Sequence, residues 1–168
     1  MISSISEITK RNIICLLNIL IKKKIKLYVA ESFTGGLFAE MITSIPGSSK
    51  SFELCLVTYS NLSKKILLDI PDDILSTYGA VSNEVATSMS LNILKKYSLN
   101  SNCVSVSCTG IAGPDGGSQS KPVGTAFFSF TYKNKNKTIK KEFSYSSREL
   151  IRAKAIDFMV KTLIDVIK

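Results

Sequence analysis

The sequence predicts an α/β fold, namely a single three-layer α/β/α domain with a mixed sheet over residues 1–168. Segments with helical periodicity alternate with short apolar, β-branched segments along most of the chain, which is typical of layered α/β domains. Two strand-like segments then follow one another directly, which adds antiparallel strands to the sheet. The length suits one domain and is sufficient for a hydrophobic core.

The first half of the chain contains the alternating elements. A Ser4-x-x-Glu7 capping box predicts a helix over Ser4–Lys24. Strands are predicted over Ile25–Ala30 and Phe52–Tyr59. Further helices are predicted over 36–43 and 61–68, and another begins near Pro71.

The second half supplies the long helix, the central strand and the antiparallel pair. Ser82–Tyr97 is amphipathic and predicts a helix, and Cys103–Cys108 predicts a central strand. The other elements are strands over Val123–Tyr132 and Thr138–Tyr145 around a turn at Lys133–Lys137, and a final helix from a Ser146-x-x-Glu149 box to Ile167.

The absence of histidine restricts the possible catalytic and metal-binding chemistry more than any other feature of the composition. It excludes Ser-His-Asp and Cys-His catalysis, and it excludes metal sites that contain histidine. Acid–base catalysis must therefore use lysine, tyrosine, aspartate or glutamate.

Composition also predicts a cytoplasmic protein without metal. The apolar stretch Ile13–Ile21 is too short for a bilayer, and its basic cluster follows it, unlike the order in a signal peptide. Four cysteines without a C-x-x-C pair suit buried free thiols in a reducing compartment and disfavour a disulfide framework or a zinc site.

The net charge of +9 raises the question of nucleic-acid binding. The lysines are scattered in ones to threes, which mostly produces solvated faces, so we expect no nucleic-acid partner. The charge is better suited to attracting small phosphorylated molecules.

Two glycine-containing loops follow predicted strands, where ligands of open α/β sheets bind. They are Glu31–Gly36, which leads into a helix, and Thr109–Ser118. Their glycines let backbone N–H groups approach an anion. Neither loop matches the Rossmann or P-loop pattern, and tight turns without a ligand are the alternative.

Several motifs together resemble the CinA C-terminal domain family. The resemblance covers roughly residues 26–155. The motifs, in chain order, are Ala30-Glu31-Ser32-Phe33-Thr34-Gly35-Gly36, Ile45-Pro46-Gly47-Ser48-Ser49, Val57-Thr58-Tyr59-Ser60-Asn61-x-x-Lys64, Gly79-Ala80-Val81-Ser82 and the run from Gly110 to Thr125. The family includes stand-alone amidases that convert nicotinamide mononucleotide to nicotinate mononucleotide and ammonia, and longer members carry an additional N-terminal domain.

The resemblance implies a Ser/Lys hydrolase with Ser49 as nucleophile and Tyr59 and Lys64 as its partners. A lysine base needs a lowered pKa, for which the start of a helix near Asn61 and the neighbouring Lys65 are candidate causes. The alternative is an ordinary solvated lysine and a strand aromatic. A straight strand over 54–59 would separate Ser49 from Lys64 by about 20 Å, so they meet only if the chain turns back or a second copy contributes one of them.

The loop after the first strand offers a competing nucleophile, Ser32, at a turn somewhat like a nucleophile elbow. We prefer a substrate-binding role for Ser32, Thr34, Gly35 and Gly36. Glu31 either binds a ribose hydroxyl or pairs with a lysine.

The substrate phosphate requires cations or convergent N–H donors. Arg148 and Arg152 are four residues apart on the final helix and share a face. Salt bridges with Glu149 are the alternative. Relatives often have Gly-Asp-Arg where this chain has Ser146-Ser147-Arg148.

The glycine-rich loop has two candidate roles. Thr109, Gly110, Gly113 and Lys121 can hold the phosphate or complete an oxyanion hole, and the sequence does not separate these roles.

The predicted function is acyl transfer to water without a cofactor, by a homo-oligomer that is a dimer or larger. The substrate is a small-molecule nucleotide. A non-catalytic nucleotide-binding module associated with competence or DNA damage is the alternative.

Overall fold

The architecture was analysed in a computed structural model, which describes residues 5–99, 101–144 and 147–168. The elements of the first half are α1 (Glu7–Lys22), β1 (Lys26–Glu31), α2 (Leu37–Thr43), a 3₁₀ turn (Ser48–Lys50), β2 (Phe52–Val57), α3 (Asn61–Leu68) and α4 (Asp72–Tyr78). Those of the second half are α5 (Asn83–Tyr97), β3 (Cys103–Gly110), β4 (Thr125–Tyr132), β5 (Lys135–Glu142) and α6 (Arg148–Ile167).

The strands form one mixed sheet in the order β2-β1-β3-β4-β5. β1 lies between β2 and β3 and is parallel to both. β4 is antiparallel to β3, and β5 is antiparallel to β4. The prediction of an α/β fold with a mixed sheet is confirmed.

Alternating residues of β1 divide the core between the two faces of the sheet. Leu27 and Val29 belong to the hydrophobic cluster formed with α1, α2 and α6. Tyr28 and Ala30 belong to the cluster formed with α3, α4 and α5. Helices therefore cover both faces of the sheet, as the side-chain alternation of a strand requires when both faces are buried.

Small hydroxyl side chains of β3 attach α5 to the sheet. Ser105 Oγ donates to the Ser90 carbonyl at 2.7 Å, and Ser107 Oγ donates to the Ala86 carbonyl at 2.6 Å. These contacts fix α5, and hence the segment that leads into it, relative to the end of β3.

Several element boundaries differ from the predicted ones. α1 begins at Glu7 with Ser6 as N-cap, and the predicted cap Ser4 lies outside the described residues. α6 is capped by Ser147, whose side chain accepts from the Leu150 amide, and the predicted cap Ser146 also lies outside them. β2 ends at Val57, so Tyr59 is not a strand residue.

The hairpin turn is shorter than predicted. Lys133 and Asn134 both have positive φ, 50° and 61°, which is the conformation of a two-residue hairpin turn. β5 therefore begins at Lys135 instead of Thr138 and ends at Glu142. It forms one edge of the sheet, and its lysines are Lys135, Lys137, Lys140 and Lys141.

Candidate active site

A cavity of about 210 Å³ lies at the carboxyl ends of β1 and β3. This is the edge of the sheet where the two glycine-containing loops were predicted to form a ligand site. Its lining includes Ser32, Phe33, Tyr59, Lys64, Thr109 and Arg148. The two loops and two of the three predicted catalytic residues are therefore brought to one place.

The turn that carries Ser32, residues 32–36 and called the Ser32 turn below, is built around a buried carboxylate. Glu31 accepts hydrogen bonds from the amides of Gly36 at 3.0 Å, Phe38 at 3.2 Å and Ala39 at 2.9 Å. These amides belong to the start of α2, where N–H groups lack partners within the helix. Both predicted roles of Glu31, ribose binding and pairing with lysine, are therefore wrong, because its side chain is fully buried and caps α2.

Two glycines permit the chain reversal between β1 and α2. Gly35 and Gly36 have φ values of 58° and 91°, which side chains with a Cβ rarely adopt. Thr34 is fully buried, and its hydroxyl lies 3.0 Å from Cys108 Sγ. The Thr34 side chain therefore faces the protein interior and not the cavity, contrary to the predicted binding role.

Ser32 and Lys64 form a buried hydrogen-bonded pair. Lys64 Nζ donates to Ser32 Oγ at 3.0 Å and to the Thr58 carbonyl at 2.8 Å. The Lys64 side chain is only 1% exposed, and Ser32 is 7% exposed. Lys64 belongs to no ion pair among the described residues, so its amine meets neutral oxygens only.

Burial lowers the pKa of Lys64 from 10.5 to about 8. Burial, together with the charge of Glu31, raises the pKa of the Cys108 thiol to about 12, so that thiol stays neutral at physiological pH. Lys65 pairs with Asp72 at 2.7 Å. The predicted contribution of Lys65 is therefore wrong, and burial is the dominant cause.

Ser49 lies at the other end of β2. It is exposed in the 3₁₀ turn that precedes the strand, whereas Lys64 reaches the carboxyl end. The six residues of β2 span about 20 Å at the usual rise. Pairing of Ser49 with Lys64 within one chain is therefore wrong, and pairing between two copies stays a prediction.

Tyr59 and Arg148 form the mouth of the cavity. Tyr59 is 61% exposed, and its hydroxyl accepts a hydrogen bond from Arg148 Nη2 at 2.9 Å. Arg148 Nη1 donates to the Gly113 carbonyl at 3.0 Å. The guanidinium thus joins the segment after β2 to the glycine-rich loop, and it forms no ion pair with Glu149 in the described part of the chain.

Arg152 has a different position from Arg148, although both lie on α6. Its Nε donates to the Thr34 carbonyl at 3.1 Å, and its Nη2 donates to the same oxygen. Arg152 does not line the cavity. The predicted contact of Arg152 with substrate is therefore replaced by a contact with the Ser32 turn.

The glycine-rich loop is held by close packing. A Cβ on Gly110 would lie 2.8 Å from the Ala126 Cβ, and one on Gly113 would lie 2.6 Å from Val123 Cγ1. Thr109 Oγ1 donates to the Ala80 carbonyl at 2.7 Å, and Lys121 Nζ donates to the Tyr78 carbonyl at 3.0 Å. Packing explains both glycines, and Gly113 also supplies the carbonyl that Arg148 binds.

Several residues of the site had no predicted role. The walls of the cavity include Phe33, Ala80, Val81 and Ala112. The motif Gly79-Ala80-Val81-Ser82 was a usable signal, since it precedes α5 at the point where Thr109 binds it. The contact of Lys64 with the Thr58 carbonyl could not be predicted, because every residue has a backbone carbonyl and the side-chain pattern does not mark this one.

No group of three or more cysteine, aspartate or glutamate side chains lies close enough to hold a metal ion in residues 5–99, 101–144 and 147–168. No helix in these ranges has the length and apolar character needed to cross a membrane.

Comparison with protein families gives one match that covers most of the chain. The CinA C-terminal domain family matches residues 12–167. A CinA-like protein from Prochlorococcus marinus is 46% identical over 132 residues, which cover 78% of this chain and 30% of that protein. The chain therefore spans about a third of the length of such CinA-like relatives.

A relative of similar length has a more specific name. Nicotinamide-nucleotide amidohydrolase PncC from Enterobacter agglomerans is 47% identical over 134 residues, which cover 79% of each chain. The crystal structure of the competence/damage inducible protein CihA from Agrobacterium tumefaciens superposes with a TM-score of 0.92 and 29% identity, covering 98% of both chains.

Proposed function

Because the chain belongs to the CinA C-terminal domain family, we propose that it is a nicotinamide-nucleotide amidohydrolase with Ser32 as nucleophile and Lys64 as general base. It would convert nicotinamide mononucleotide to nicotinate mononucleotide and ammonia, a step of pyridine nucleotide recycling. The relative named as such an amidohydrolase supports the substrate. The 3.0 Å hydrogen bond between Lys64 Nζ and Ser32 Oγ carries the mechanism.

The pair meets the requirements of a histidine-free serine hydrolase. A serine hydroxyl needs an adjacent base, and lysine serves when its amine is neutral. The lowered pKa of Lys64, about 8, makes a useful neutral fraction available near physiological pH. Its two hydrogen-bonding oxygens orient the amine toward the hydroxyl.

The reaction has two acyl-transfer steps. Ser32 Oγ attacks the carboxamide carbon while Lys64 Nζ takes the hydroxyl proton, which gives a tetrahedral intermediate. The C–N bond then breaks, and the Lys64 proton passes to the leaving amide nitrogen, which departs as ammonia. Water attacks the resulting ester with Lys64 again as base, and cleavage of the ester releases the carboxylate and restores Ser32.

The Phe33 amide is the candidate donor for stabilising the oxyanion of the tetrahedral intermediate. It belongs to the residue that follows the nucleophile, as in strand-to-helix nucleophile turns. In the described part of the chain its N–H donates to no acceptor, and Phe33 lines the cavity. A donor aimed at the developing oxyanion stabilises the transition state more than the substrate.

The mouth of the cavity suits the phosphate end of the nucleotide. Arg148 presents a guanidinium there, and such a group binds phosphate through two N–H donors. Tyr59, which accepts from Arg148, is a candidate for orienting the substrate or relaying a proton. The apolar walls at Phe33, Val81 and Ala112 suit the pyridine ring.

The test is incubation of the protein with nicotinamide mononucleotide, with ammonia and nicotinate mononucleotide measured together. We expect equal amounts of both products from the parent and none above background from Ser32→Ala. Ser76→Ala, which changes an exposed serine of α4, is the matched control and should keep the parent rate.

Two outcomes would contradict the proposal. An inactive parent protein would remove the amidase assignment. An active Ser32→Ala variant would keep the amidase and remove Ser32 as nucleophile.

A further inference from the structure

A chain of hydrogen bonds leads from α6 into the Ser32 turn. Arg152 donates two N–H groups to the Thr34 carbonyl, which also accepts from the Leu37 amide at 3.2 Å. The Thr34 carbonyl belongs to the peptide group that ends in the Gly35 N–H. That N–H donates to the Ser32 carbonyl at 3.0 Å.

The next peptide group completes the chain. The Ser32 carbonyl belongs to the peptide that ends in the Phe33 N–H, the amide without an acceptor described above. Two consecutive peptide dipoles therefore lie between a fixed positive charge and this amide. Hydrogen bonds connected in series polarise one another, so a cation at one end makes the last N–H a stronger donor.

We propose that Arg152 is a positioning residue for the oxyanion hole, acting through these two peptide groups on the Phe33 amide. The inference rests on the proposed function, because it assumes that the Phe33 amide meets an oxyanion. The substrate-binding role predicted for Arg152 would be replaced by this indirect one.

The surroundings of Arg152 favour an electrostatic role over a purely structural one. Its guanidinium forms no ion pair among the described residues, so no carboxylate cancels its charge there. Glu31 holds the opposite side of the turn through the amides of Gly36, Phe38 and Ala39. The turn is thus fixed by a cation at a carbonyl and an anion at amides, which restricts rotation of the peptide groups between them.

The experiment compares Arg152→Gln and Arg152→Lys with Lys161→Gln, which removes a positive charge from an exposed position of the same helix. The kcat and KM for ammonia release from nicotinamide mononucleotide are measured across pH. We expect Arg152→Gln to lower kcat about tenfold, less than the loss of a direct oxyanion donor, with KM and the apparent pKa near 8 unchanged. Arg152→Lys keeps the charge and should retain most of the parent kcat, and Lys161→Gln should match the parent.

A second readout does not depend on turnover. In protein labelled with ¹⁵N-phenylalanine, the Phe33 amide resonance, assigned by its loss in Phe33→Leu, should move in Arg152→Gln and stay in place in Lys161→Gln. A parent without amidase activity would refute the proposed function, whereas this resonance would still decide whether Arg152 acts on Phe33.

Three results would overturn the inference. The first is a raised KM with parent kcat in Arg152→Gln, which would indicate direct contact with substrate. The second is an unchanged kcat in that variant. The third is a Phe33 resonance that does not respond to Arg152→Gln, or to the equally uncharged Arg152→Met should the glutamine variant not fold.

Discussion

The two ends of β2 each lie beside a serine-bearing turn with a glycine at positive φ, yet only one has an environment suited to catalysis. At the amino end, Gly47 has a φ of 85° and precedes the exposed Ser49. At the carboxyl end, Ser32 is buried and accepts a hydrogen bond from Lys64. Serine-glycine patterns alone therefore do not distinguish a nucleophile, and the position of the base does.

The two ends of β2 also differ in how deeply the neighbouring lysine is buried, which affects its pKa. Lys64 has a lowered pKa because α3 carries it into the protein, and no carboxylate pairs with it among the described residues. At the amino end, Lys50 beside Ser49 is exposed to solvent. A base with a pKa near the working pH needs a desolvated position, which only the carboxyl end provides.

Replacing the base tests this difference most strongly. Lys64→Met keeps an unbranched side chain in the buried position but removes the amine, so we expect at least about a thousandfold loss of kcat for amide hydrolysis. Nucleotide binding, measured by calorimetry, should stay within a few-fold of the parent. Substantial turnover by Lys64→Met would show that another group activates the nucleophile.

The same substitution should stabilise the protein. The pKa of Lys64 is about 8 when folded and 10.5 in the reference state, so at pH 7 folding buries a charge that the unfolded chain keeps in water. Burying this charge lowers the free energy of unfolding by about 3 kcal/mol. The loss disappears as pH rises from about 8 to 10.5, because in that range the unfolded state binds more protons than the folded state, so stability increases with pH.

Urea unfolding of parent and Lys64→Met at pH 7 and pH 10 measures this difference. Lys64→Met should be more stable at pH 7, and its advantage should shrink at pH 10. An advantage that does not change between pH 7 and pH 10 would mean that Lys64 titrates alike in the folded and unfolded states, so that folding does not lower its pKa.

The pH dependence of activity gives a smaller effect. Because Lys64 must be neutral to accept the Ser32 proton, kcat/KM should rise about tenfold per pH unit below about 8 and level off above it. Initial rates of ammonia release between pH 6 and 9.5 measure the profile. A flat profile through pH 8 would exclude Lys64 as the titrating base.

Ser49→Ala should have the smallest effect. The side chain is exposed and lies at the far end of β2 from Lys64, so we expect kcat within about twofold of the parent. The control is Ser32→Ala under the same conditions. A large loss in Ser49→Ala would instead support the predicted pairing between two copies of the chain.

Most of the fold could be predicted from local patterns. The helices α3 and α5 and the central strand β3 follow periodicity and capping residues, and the alternation of elements gives the layers. The hairpin was misplaced because its turn uses Lys133 and Asn134 without glycine, so the polar residues that follow were assigned to the turn.

The sequence allowed the two loops of the site and the role of Lys64 to be predicted. It did not allow us to predict which residues contact one another there. Which serine meets Lys64 depends on strand order, since β1 and β2 are parallel neighbours and their carboxyl ends coincide. The capping role of Glu31 and the bond from Arg152 to Thr34 join residues that lie in different elements, and side-chain patterns do not encode such contacts.

The lysines on β5 have a consequence for how the protein behaves in concentrated solution. An unpaired strand edge can extend a sheet into a neighbouring molecule, and charged side chains oppose this. Lys135, Lys137, Lys140 and Lys141 place like charges at such a junction, and only Lys140 has a carboxylate partner, Glu142, at 2.7 Å in the described residues. Because the Debye length falls from about 30 Å at 0.01 M to about 3 Å at 1 M salt, this colloidal protection is greatest at low ionic strength.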